Sequence, residues 1–328
     1  MTVRELDART MTELVEDATA APSMHNAQPW RFRLLPADGT FLVYADLGRA
    51  MPRADPTTRA LHLGCAAALF NLRVAAAHAG WEPDTALLPD SADPRLLAVV
   101  RLVGPVLPGS DLAPLYPAIH RRSTSRHPFT DEEIPRPVKD TLCAAALREG
   151  AQLTFPDAWH VRTLLELADD AEGRGAADSA AAEELEHWTR TGPAARTAGD
   201  GVPEDAFGPR RRDGRAPVRD FAGRRPVAGR EAAVFENAPQ LAVLGTTEDQ
   251  PRDWLLAGQA MERVLLQATL DGLATSLTSH ALEWPELRWT VRDPRSATGY
   301  VQMVLRLGYG PAGSGTPRRP VHEVIDVE

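Results

Sequence analysis

The sequence predicts an α+β fold with two similar halves, because helical and strand patterns alternate along its 328 residues. A weak internal repeat also points to two halves. Residues 71–80 (NLRVAAAHAG) align with residues 263–272 (RVLLQATLDG) at an offset of 192 positions. A similar strand follows each helix, AVVRL at 98–102 and MVLRL at 303–307. A duplicated chain would be a covalent pseudo-dimer, although Ala- and Leu-rich helices also match by chance, so the repeat alone leaves duplication open.

Hydrophobic periodicity defines the order of the elements. It predicts helices over residues 10–20, 57–79, 138–148, 159–171 and 254–270. It predicts strands over residues 30–35, 41–44, 96–103, 240–244 and 301–307. Gly80 and Gly272 are expected to end the two longest helices. Residues 172–232 are rich in Gly, Ala, Pro and Arg with little periodicity, which indicates either a lid or a poorly ordered segment.

Charge and composition exclude several classes of function. The chain carries 36 basic and 45 acidic side chains and a net charge of −9, which argues against a nucleic-acid or anionic-membrane partner. The most apolar stretch, residues 60–80, is interrupted by His62, Asn71, Arg73 and His78, so a buried helix explains it better than a bilayer span. No apolar run follows a basic start at the N-terminus, so we expect a cytoplasmic protein that acts on a small molecule.

Metal and disulfide chemistry have little support in the sequence. Cys65 and Cys143 each lie in an apolar helical pattern, which is typical of small buried hydrophobic residues. The nine histidines show no metal-ligand spacing, so we predict no metal site. The sequence contains no G-x-G-x-x-G, Walker, G-x-S-x-G or H-E-x-x-H motif. If the chain is an enzyme, a bound organic cofactor is expected to carry the chemistry.

Residues 21–30 (APSMHNAQPW) form the first candidate site. They lie between a predicted helix and a predicted strand, and Ser23, His25, Asn26 and Gln28 supply hydrogen-bonding groups. Two prolines stiffen the segment and its tryptophan can anchor it in the core. A turn whose Ser and Asn only satisfy nearby backbone groups is the alternative interpretation.

Two arginine-containing segments form the second candidate site. Residues 120–126 (HRRSTSR) combine three arginines with three hydroxyl groups, which suits a phosphate because guanidinium groups pair with its oxygens. A solvated basic turn is the alternative, and a nucleic-acid patch is a third that the acidic total weakens. Residues 316–320 (TPRRP) could add two arginines to the same site, or form a solvated tail.

These motifs resemble those of the nitroreductase superfamily. APSMHNAQPW resembles the superfamily pattern APSxxNxQPW, and RRSTSRHPFTDEEIP resembles its FMN-phosphate segment. GQAMERVLLQATLDGLATS, VLRLGYG and TPRRPV resemble its C-terminal half, so the resemblance covers most of the chain outside residues 172–232. It implies a nitroreductase-like α+β fold with long central helices, sheets that contain antiparallel strands, and bound FMN.

The order of the motifs is unusual for that superfamily. In ordinary nitroreductases the arginine segment comes before the APSxxN loop, and each FMN takes phosphate contacts from one subunit and loop contacts from the other. Here the loop begins at position 21 and the arginine segment at position 121. This arrangement resembles the Acg-type branch, in which one chain imitates the dimer. It implies nitroreductase-like halves over residues 1–108 and 109–328, a lid-like excursion at about 172–232, and one FMN per chain.

The resemblance also implies a role for each matching residue. Those expected at the FMN phosphate and ribityl chain are Arg121, Arg122, Ser123, Arg126, Arg318 and Arg319. Those expected to approach from the other half are Ser23, Met24, His25, Asn26 and Gln28. The segment Leu277, Thr278 and Ser279 would pass the isoalloxazine, and Ser279 stands where many relatives carry an acidic residue. No side chain is expected to be an obligatory acid or base, because the flavin N5 exchanges the hydride.

The resemblance leaves two main functions open. The first is an FMN-dependent oxidoreductase that takes hydride from NADPH, NADH or an organic donor and passes it to a nitroaromatic, a quinone or a biosynthetic intermediate. The second is an FMN-sequestering protein without turnover, in which residues 172–232 close over the flavin. An interaction protein with a basic patch and no flavin is a third. The chain would act as a monomeric pseudo-dimer or as a homodimer of it.

Overall fold

A computed structural model describes residues 7–223, 227–295 and 299–328 of the chain. Its helices are α1 (Ala8–Thr19), α2 (Arg59–His78), α3 (Arg136–Arg148), α4 (Ala158–Ala177), α5 (Ser179–His187), α6 (Pro193–Thr197), α7 (Pro251–Leu270) and α8 (Pro285–Thr290). Its strands are β1 (Trp30–Leu35), β2 (Thr40–Ala45), β3 (Trp81–Leu87), β4 (Leu96–Pro105), β5 (Gln152–Thr154), β6 (Thr189–Arg190), β7 (Val202–Pro203), β8 (Arg210–Asp213), β9 (Ala232–Val234), β10 (Gln240–Thr246), β11 (Ala274–Thr278), β12 (Tyr300–Gly308) and β13 (Ile325–Val327).

The structure confirms every helix and strand that periodicity predicts, with small differences at their ends. Gly80 and Gly272 follow α2 and α7 with φ angles of +94° and +78°, which is the left-handed conformation that favours glycine at a helix end. The sequence pattern missed β3, β5, β11 and β13. These strands are short or partly polar, so they lack the alternation or apolar run that marks a strand in sequence.

Two largely antiparallel sheets hold the longer strands. The larger sheet has the order β13-β1-β2-β4-β3, and the smaller sheet has the order β11-β12-β10-β5. All neighbours are antiparallel in both sheets, except that β13 lies parallel to β1. The short pairs β6–β7 and β8–β9 are parallel and lie outside these sheets. The architecture is therefore α+β, as the sequence predicts.

The two sheets share one strand order around their helices. The order β1-β2-β4-β3, with α2 joining β2 to β3, corresponds to β5-β10-β12-β11, with α7 joining β10 to β11. Helix α1 precedes β1 just as α3 precedes β5. The helices of the sequence repeat, α2 and α7, occupy equivalent places in this scheme. This shared order is what a duplicated chain would have.

The helices α2 and α7 pack against each other at the centre of the molecule. Their closest approach is at Gly258 of α7, where a β-carbon would lie 2.5 Å from the carbonyl oxygen of Leu63 and 2.6 Å from Cβ of Ala66. The start of α7 is set by a capping box between Gln250 and Asp253. A residue without a side chain at 258 is what allows the two helices to come this close.

Helix α2 is long and apolar enough to cross a membrane by length and composition alone. However, 18 of its 20 residues are buried inside the protein, and it contacts α1, α7 and the larger sheet. The same apolar composition is therefore explained by its place in the core.

The C-terminal strand β13 joins the two parts of the chain. It pairs with β1 in the register Phe32 to Ile325, and the Phe32 N–H donates to the carbonyl of Val324 at 2.7 Å. The end of the chain therefore completes the sheet that begins near its start. The sequence predicts two halves, residues 1–108 and 109–328. Because β13 belongs to the second range and pairs with a strand of the first, the boundary between the halves stays a prediction.

Residues 172–232 contain more regular structure than their composition indicates. Helix α4 continues to Ala177 and α5 follows, and the side chains of Asp157 and Asp178 accept backbone N–H groups at the two N-termini. The low periodicity of this segment did not predict these helices, because Ala favours a helix through its propensity without producing an apolar repeat. Further along, Val202, Ala206, Phe207 and Phe221 form a small apolar cluster.

We expect Gly258→Ala to lower the free energy of unfolding by roughly 1–3 kcal/mol, because the added methyl group overlaps the backbone of α2. Gly173→Ala is the matched control, since Gly173 also lies inside a helix and a β-carbon there meets nothing within 4 Å. The control should raise stability by up to about 1 kcal/mol through helix propensity. Urea unfolding followed by circular dichroism measures both changes, and equal effects would contradict a tight contact between α2 and α7.

Candidate functional site

The loop between α1 and β1 adopts an uncommon backbone conformation. His25, Asn26 and Gln28 have φ angles of 48°, 56° and 52°, in the left-handed region that costs a non-glycine residue about 1–2 kcal/mol. The hydroxyl oxygen of Ser23 accepts the Gln28 N–H at 2.8 Å, and Trp30 is fully buried behind the loop. Backbone conformations of this kind cluster at functional sites because the surrounding structure must hold them.

The side chains of Asn26 and Gln28 tie this loop to distant segments. Asn26 Nδ2 donates to the carbonyl of Gly201 at 2.9 Å, and Gln28 Nε2 donates to the carbonyl of Gly199 at 2.8 Å. Gln28 Oε1 accepts the backbone N–H of Arg319 at 2.8 Å. Both amides are buried, so these bonds hold the 172–232 excursion and the C-terminal segment against the loop.

The arginine segment at 121–126 is attached to the edge strand β11. The Ser125 N–H donates to the carbonyl of Thr275 at 2.8 Å, and Thr124 forms a parallel bridge with Thr275. Gly313 packs so close to this segment that a β-carbon there would lie 2.0 Å from the Thr124 carbonyl oxygen. The segment thus has a fixed path between the smaller sheet and the C-terminal residues.

A buried ion pair holds the turn that follows Arg126. Arg306 is fully buried, donates from Nε to Glu236, and donates from Nη2 to the carbonyl of His127 at 2.9 Å. Glu236 also accepts the Phe129 N–H at 3.0 Å, and the Arg306 guanidinium lies 3.7 Å from the centre of the Phe129 ring. Because each partner of a buried ion pair needs the other, this arrangement strongly restrains the turn.

Arg122 and Arg318 converge in a buried cluster with Glu262. Arg122 Nε lies 3.7 Å from Glu262 Oε1. Arg318 donates from Nε to the carbonyl of Thr19 at 2.7 Å and from Nη2 to that of Ala20 at 2.8 Å, at the C-terminal end of α1, where the helix dipole favours a cation. Burial and the charge of Arg122 lower the pKa of Arg318 to about 9, so its guanidinium stays charged at neutral pH.

This cluster has hydrogen-bonding capacity that the described protein leaves unused. Within residues 7–223, 227–295 and 299–328, Arg122 Nε and Nη1 have no hydrogen-bond partner, and neither carboxylate oxygen of Glu262 has one. Buried polar atoms are rarely left in this state. An anion beside Arg122 would supply the missing charge-assisted contacts of its Nε and Nη1, so the guanidinium fits a phosphate group, whereas the oxygens of Glu262 need a hydrogen-bond donor.

A pocket of about 190 Å³ opens beside the cluster, and we call it the anion pocket. Three guanidinium groups and several hydroxyl groups line it, and none of its described lining residues carries a carboxylate. These lining residues include Arg122, Arg126, Arg318, Ser23, Ser123, Thr124, Ser314 and Thr316. The excess of positive charge and hydroxyl donors suits a phosphate monoester.

A second pocket continues from the anion pocket, and we call it the ring pocket. The two pockets share Pro22, Ser23, Thr124 and Arg126. The remaining walls combine apolar side chains with the backbone of β11, and they include Met24, His25, Ala60, Leu63, Gly64, Met261, Ser276, Leu277, Ser279 and Met303. Such walls suit a flat, largely apolar ring system.

The excursion closes over the ring pocket. Val218, Arg219 and Phe221 line it opposite β11, and the Phe221 ring meets the His25 imidazole edge-on with a centroid separation of 5.4 Å. Burial and two nearby arginines hold the pKa of His25 well below its usual range, so this imidazole is neutral. The ring pocket has a volume of about 80 Å³ in this conformation.

An ion pair fastens this cover to the segment after β11. Arg219 donates to Glu283 Oε1, and the Ser279 hydroxyl donates to the same oxygen at 2.7 Å. Arg126 adds a second attachment, since its Nη1 donates to the carbonyl of Ala206 at 2.9 Å. Burial lowers the pKa of Arg126 to about 10, with a further contribution from Arg219.

The structure brings most of the residues predicted from the sequence into these two pockets. Those that line a pocket are Ser23, Met24, His25, Asn26, Arg122, Ser123, Arg126, Leu277, Ser279 and Arg318. Four line neither: Arg121 is exposed, Thr278 donates to the carbonyl of Pro217, and Gln28 and Arg319 bind each other through the backbone of Arg319. Arg121, Thr278 and Arg319 each lie next to a lining residue in sequence, and Gln28 lies two positions from Asn26.

Sequence reasoning missed Glu262, Arg59, Arg219 and Phe221. Glu262 and Arg59 lie in helices whose other residues are mostly apolar, and a charged residue within such a pattern is the signal that could have indicated them. Arg219 and Phe221 lie in the excursion, where no sequence pattern indicates which residues face the site.

Comparison with known proteins assigns the family. No family model matches the chain. The Mycobacterium tuberculosis protein named "Putative NAD(P)H nitroreductase Rv3131" is 32% identical over 326 residues, which cover 98% of this chain and 92% of that protein. The chain belongs to the nitroreductase family. A second protein of that organism, named "Putative NAD(P)H nitroreductase acg", is 29% identical over 342 residues and 98% of each chain.

Solved structures give more distant matches within the same family. A nitroreductase with bound FMN from Bacteroides fragilis is 15% identical, with a TM-score of 0.37, and covers 63% of this chain and 93% of its own. The FMN and NADPH-dependent nitroreductase NfnB from Sphigopyxis sp. strain HMH is 16% identical, with a TM-score of 0.40. The match covers 65% of this chain and 97% of NfnB.

Glu262 generates a prediction about pH. Burial raises the pKa of its carboxyl group to about 7, and Arg122 and Arg318 only partly offset this. Between about pH 5 and 7 the folded protein therefore keeps a proton that the unfolded chain has released, and the free energy of unfolding falls as pH rises. Glu262→Gln should flatten that decline in protein without added FMN, measured by urea unfolding at pH 5, 6 and 7. Glu133→Gln, which changes an exposed glutamate, should leave it unchanged; equal slopes in wild type and Glu262→Gln would rule out this role.

Proposed function

We propose that the chain binds one FMN and is an FMN-dependent oxidoreductase. The observation that carries this proposal is the continuity of the anion pocket with the ring pocket. A phosphate site joined to a flat apolar pocket matches the two ends of FMN. The relative's name gives NAD(P)H, and the titles of two solved nitroreductases that resemble the chain give FMN.

The chain's own residues divide the work of holding this cofactor. Arg122, Arg126 and Arg318 would contact the phosphate, with Ser123 and Thr124 as neutral donors. Asn26 acts on the phosphate through Arg318, because its Oδ1 accepts from Arg318 Nη1 at 3.2 Å. The loop and the arginine segment, about a hundred residues apart in sequence, therefore build one site.

For this reaction the protein would bind the cofactor and exclude water from the reacting face, and it would not need to supply an acid or a base. FMN, when bound, supplies hydride exchange through its N5, from NADPH or NADH to a nitroaromatic, a quinone or a biosynthetic intermediate. Met24, Leu277 and Met303 would keep the reacting face apolar. The neutral His25 and the Phe221 ring would limit access of water from the excursion.

The equivalent position in the other half supports a single site. Ala20, whose carbonyl binds the arginine pair, follows α1, and Glu149 follows α3 in the same way. Glu149 is buried and accepts from Arg263 Nε at 2.9 Å and from Arg73 Nη1 at 2.6 Å. An internal carboxylate thus pairs with the two arginines there, whereas Arg122 keeps N–H groups without a partner among the described residues, which favours a phosphate at the first site.

A second candidate function is FMN sequestration without turnover. The observation that favours it is the excursion, whose Arg219, Phe221 and Ala206 cover or bind the ring-pocket walls. A cover of this kind would keep donors and acceptors from the flavin unless it opens. The two functions share the same binding site and differ in the movement of the cover.

Arg122→Ala should weaken FMN binding by roughly 1.5–3 kcal/mol, because a buried charge-assisted contact to the phosphate is lost. Asn26→Ala should weaken it as well, since Arg318 then loses a hydrogen-bond partner. Arg121→Ala is the matched control, because Arg121 is the exposed neighbour of Arg122 and should have little effect. Flavin titration of the purified protein measures all three, and unchanged affinity in Arg122→Ala would show that the phosphate lies elsewhere.

Anaerobic addition of NADPH or NADH to the FMN-loaded protein separates the two functions. An oxidoreductase should lose its visible flavin absorbance and regain it when an acceptor such as a quinone is added. A stoichiometry near one FMN per chain is expected in the same spectrum. A flavin that stays oxidised with both donors would favour sequestration, with the spectrum of the dithionite-reduced protein as the reference for full reduction. A stoichiometry of two FMN per chain would contradict the single site.

A further inference from the structure

A third pocket of about 180 Å³ adjoins the ring pocket, and we call it the side pocket. The two pockets share Ala54, Arg59 and Glu283, so these residues form the wall or passage between them. A molecule with a single six-membered ring fits a pocket of this size, since a cavity of about 150 Å³ in another protein holds benzene.

Arg59 is a buried cation at this junction without a carboxylate partner. Its residue exposure is 4%, and no Asp or Glu oxygen lies within 4 Å of its guanidinium in the part of the chain that the structure describes. Its Nη1 donates to the backbone carbonyl and, at 3.4 Å, to the side-chain oxygen of Gln302. Burial and the neighbouring Arg288 lower its pKa to about 10, which leaves it charged at neutral pH.

The carboxylates around Arg59 are each engaged elsewhere. Asp55 accepts the N–H groups of Ala60 and Leu61 at 3.0 and 2.8 Å and so caps α2. Asp249 receives both terminal nitrogens of Arg288 at 2.7 Å. Glu283, in the shared wall, accepts from Arg219 of the excursion and from the Ser279 hydroxyl. The charge of Arg59 is thus not neutralised by direct pairing, which is costly for a buried cation unless an anion joins it.

The mouth of the side pocket carries aromatic side chains. Trp289 is 57% exposed and Tyr300 is 36% exposed, and both line the pocket. The Arg292 guanidinium lies 4.1 Å from the centre of the Trp289 ring. Exposed aromatic rings beside a pocket commonly contact planar ligands, so the mouth favours a ring. Asp55, Asp249 and Glu283 also line the pocket, so the group that could hold a negative charge there is the Arg59 guanidinium, which has no direct carboxylate partner among the described residues.

We propose that the side pocket binds a small aromatic or conjugated carboxylate, with its carboxylate on Arg59 and its ring between Trp289 and the ring pocket. The proposal rests on the proposed function in one respect: this molecule would be the class of substrate that the flavin reduces. Arg59 is then the residue that determines specificity for anionic over neutral acceptors, and it acts by binding rather than by moving a proton.

Isothermal titration with benzoate and benzamide tests this assignment on the full-length protein. The two probes have nearly the same shape and differ in charge. Wild-type protein should bind benzoate at least about tenfold more tightly than benzamide, and Arg59→Gln should lose about tenfold or more of the benzoate affinity with little change for benzamide. Arg59→Lys keeps the charge and should recover part of the loss. Arg101→Gln, an exposed arginine on β4, should bind benzoate as wild type does.

Three results would overturn the proposal: no benzoate binding to wild type, equal affinity for the two probes, or unchanged benzoate affinity in Arg59→Gln. If Arg59→Gln does not fold, the wild-type comparison of the two probes and the Arg59→Lys variant still decide. The titrations are run with and without added FMN. Failure of FMN to bind would overturn the proposed function and leave the benzoate result to stand on its own.

Discussion

The contact between α2 and α7 is the constraint on which the rest of the structure depends. At Gly258 the two helices approach so closely that a single methyl group would overlap the backbone of the partner helix. One turn further along α7, on the same face, lies Glu262, which is fully buried and meets Arg122. Leu63 and Gly64 of α2 and Met261 of α7 line the same ring pocket. The spacing of these helices therefore affects both the width of the ring pocket and the position of the Glu262 carboxyl group beside Arg122.

The electrostatics of the anion pocket follow from that burial. Arginines placed in a protein interior lose their hydration, and the chain offsets this in two ways. Arg318 is surrounded by the carbonyl groups at the end of α1, and Arg122 faces Glu262. Neither arrangement uses all the N–H groups of Arg122, and the carboxyl of Glu262 has a raised pKa rather than a full charge. Arg122 thus keeps unpaired N–H groups beside a carboxyl that is not fully charged, and on this basis we propose a phosphate site here rather than a structural ion pair.

In the loop after α1, one residue lines a pocket while a residue close to it in sequence holds other segments of the chain in place. Asn26 and Gln28 were expected to contact the cofactor directly. Asn26 lines the anion pocket, and its hydrogen bonds also hold Arg318 and Gly201 in place. Gln28 lines neither pocket and joins the excursion to the C-terminal segment. The hydrogen bonds of the loop therefore help to hold this part of the excursion in place, and under the proposed function the excursion would limit access to the flavin.

The sequence by itself determined the element order, the repeated helices and the types of residue at the site. Apolar periodicity marks α2 and α7 because both are buried, and the combination of Arg122, Ser123 and Arg126 predicts a phosphate segment because guanidinium and hydroxyl groups suit phosphate oxygens. Only the tertiary structure decided which neighbours face the pockets. Arg121 and Arg122 are adjacent in sequence and point to opposite environments, since the path of the backbone sets their direction. Glu262 and Arg59 acquire their importance from burial beside other charges, and burial depends on contacts between segments that are far apart in the chain.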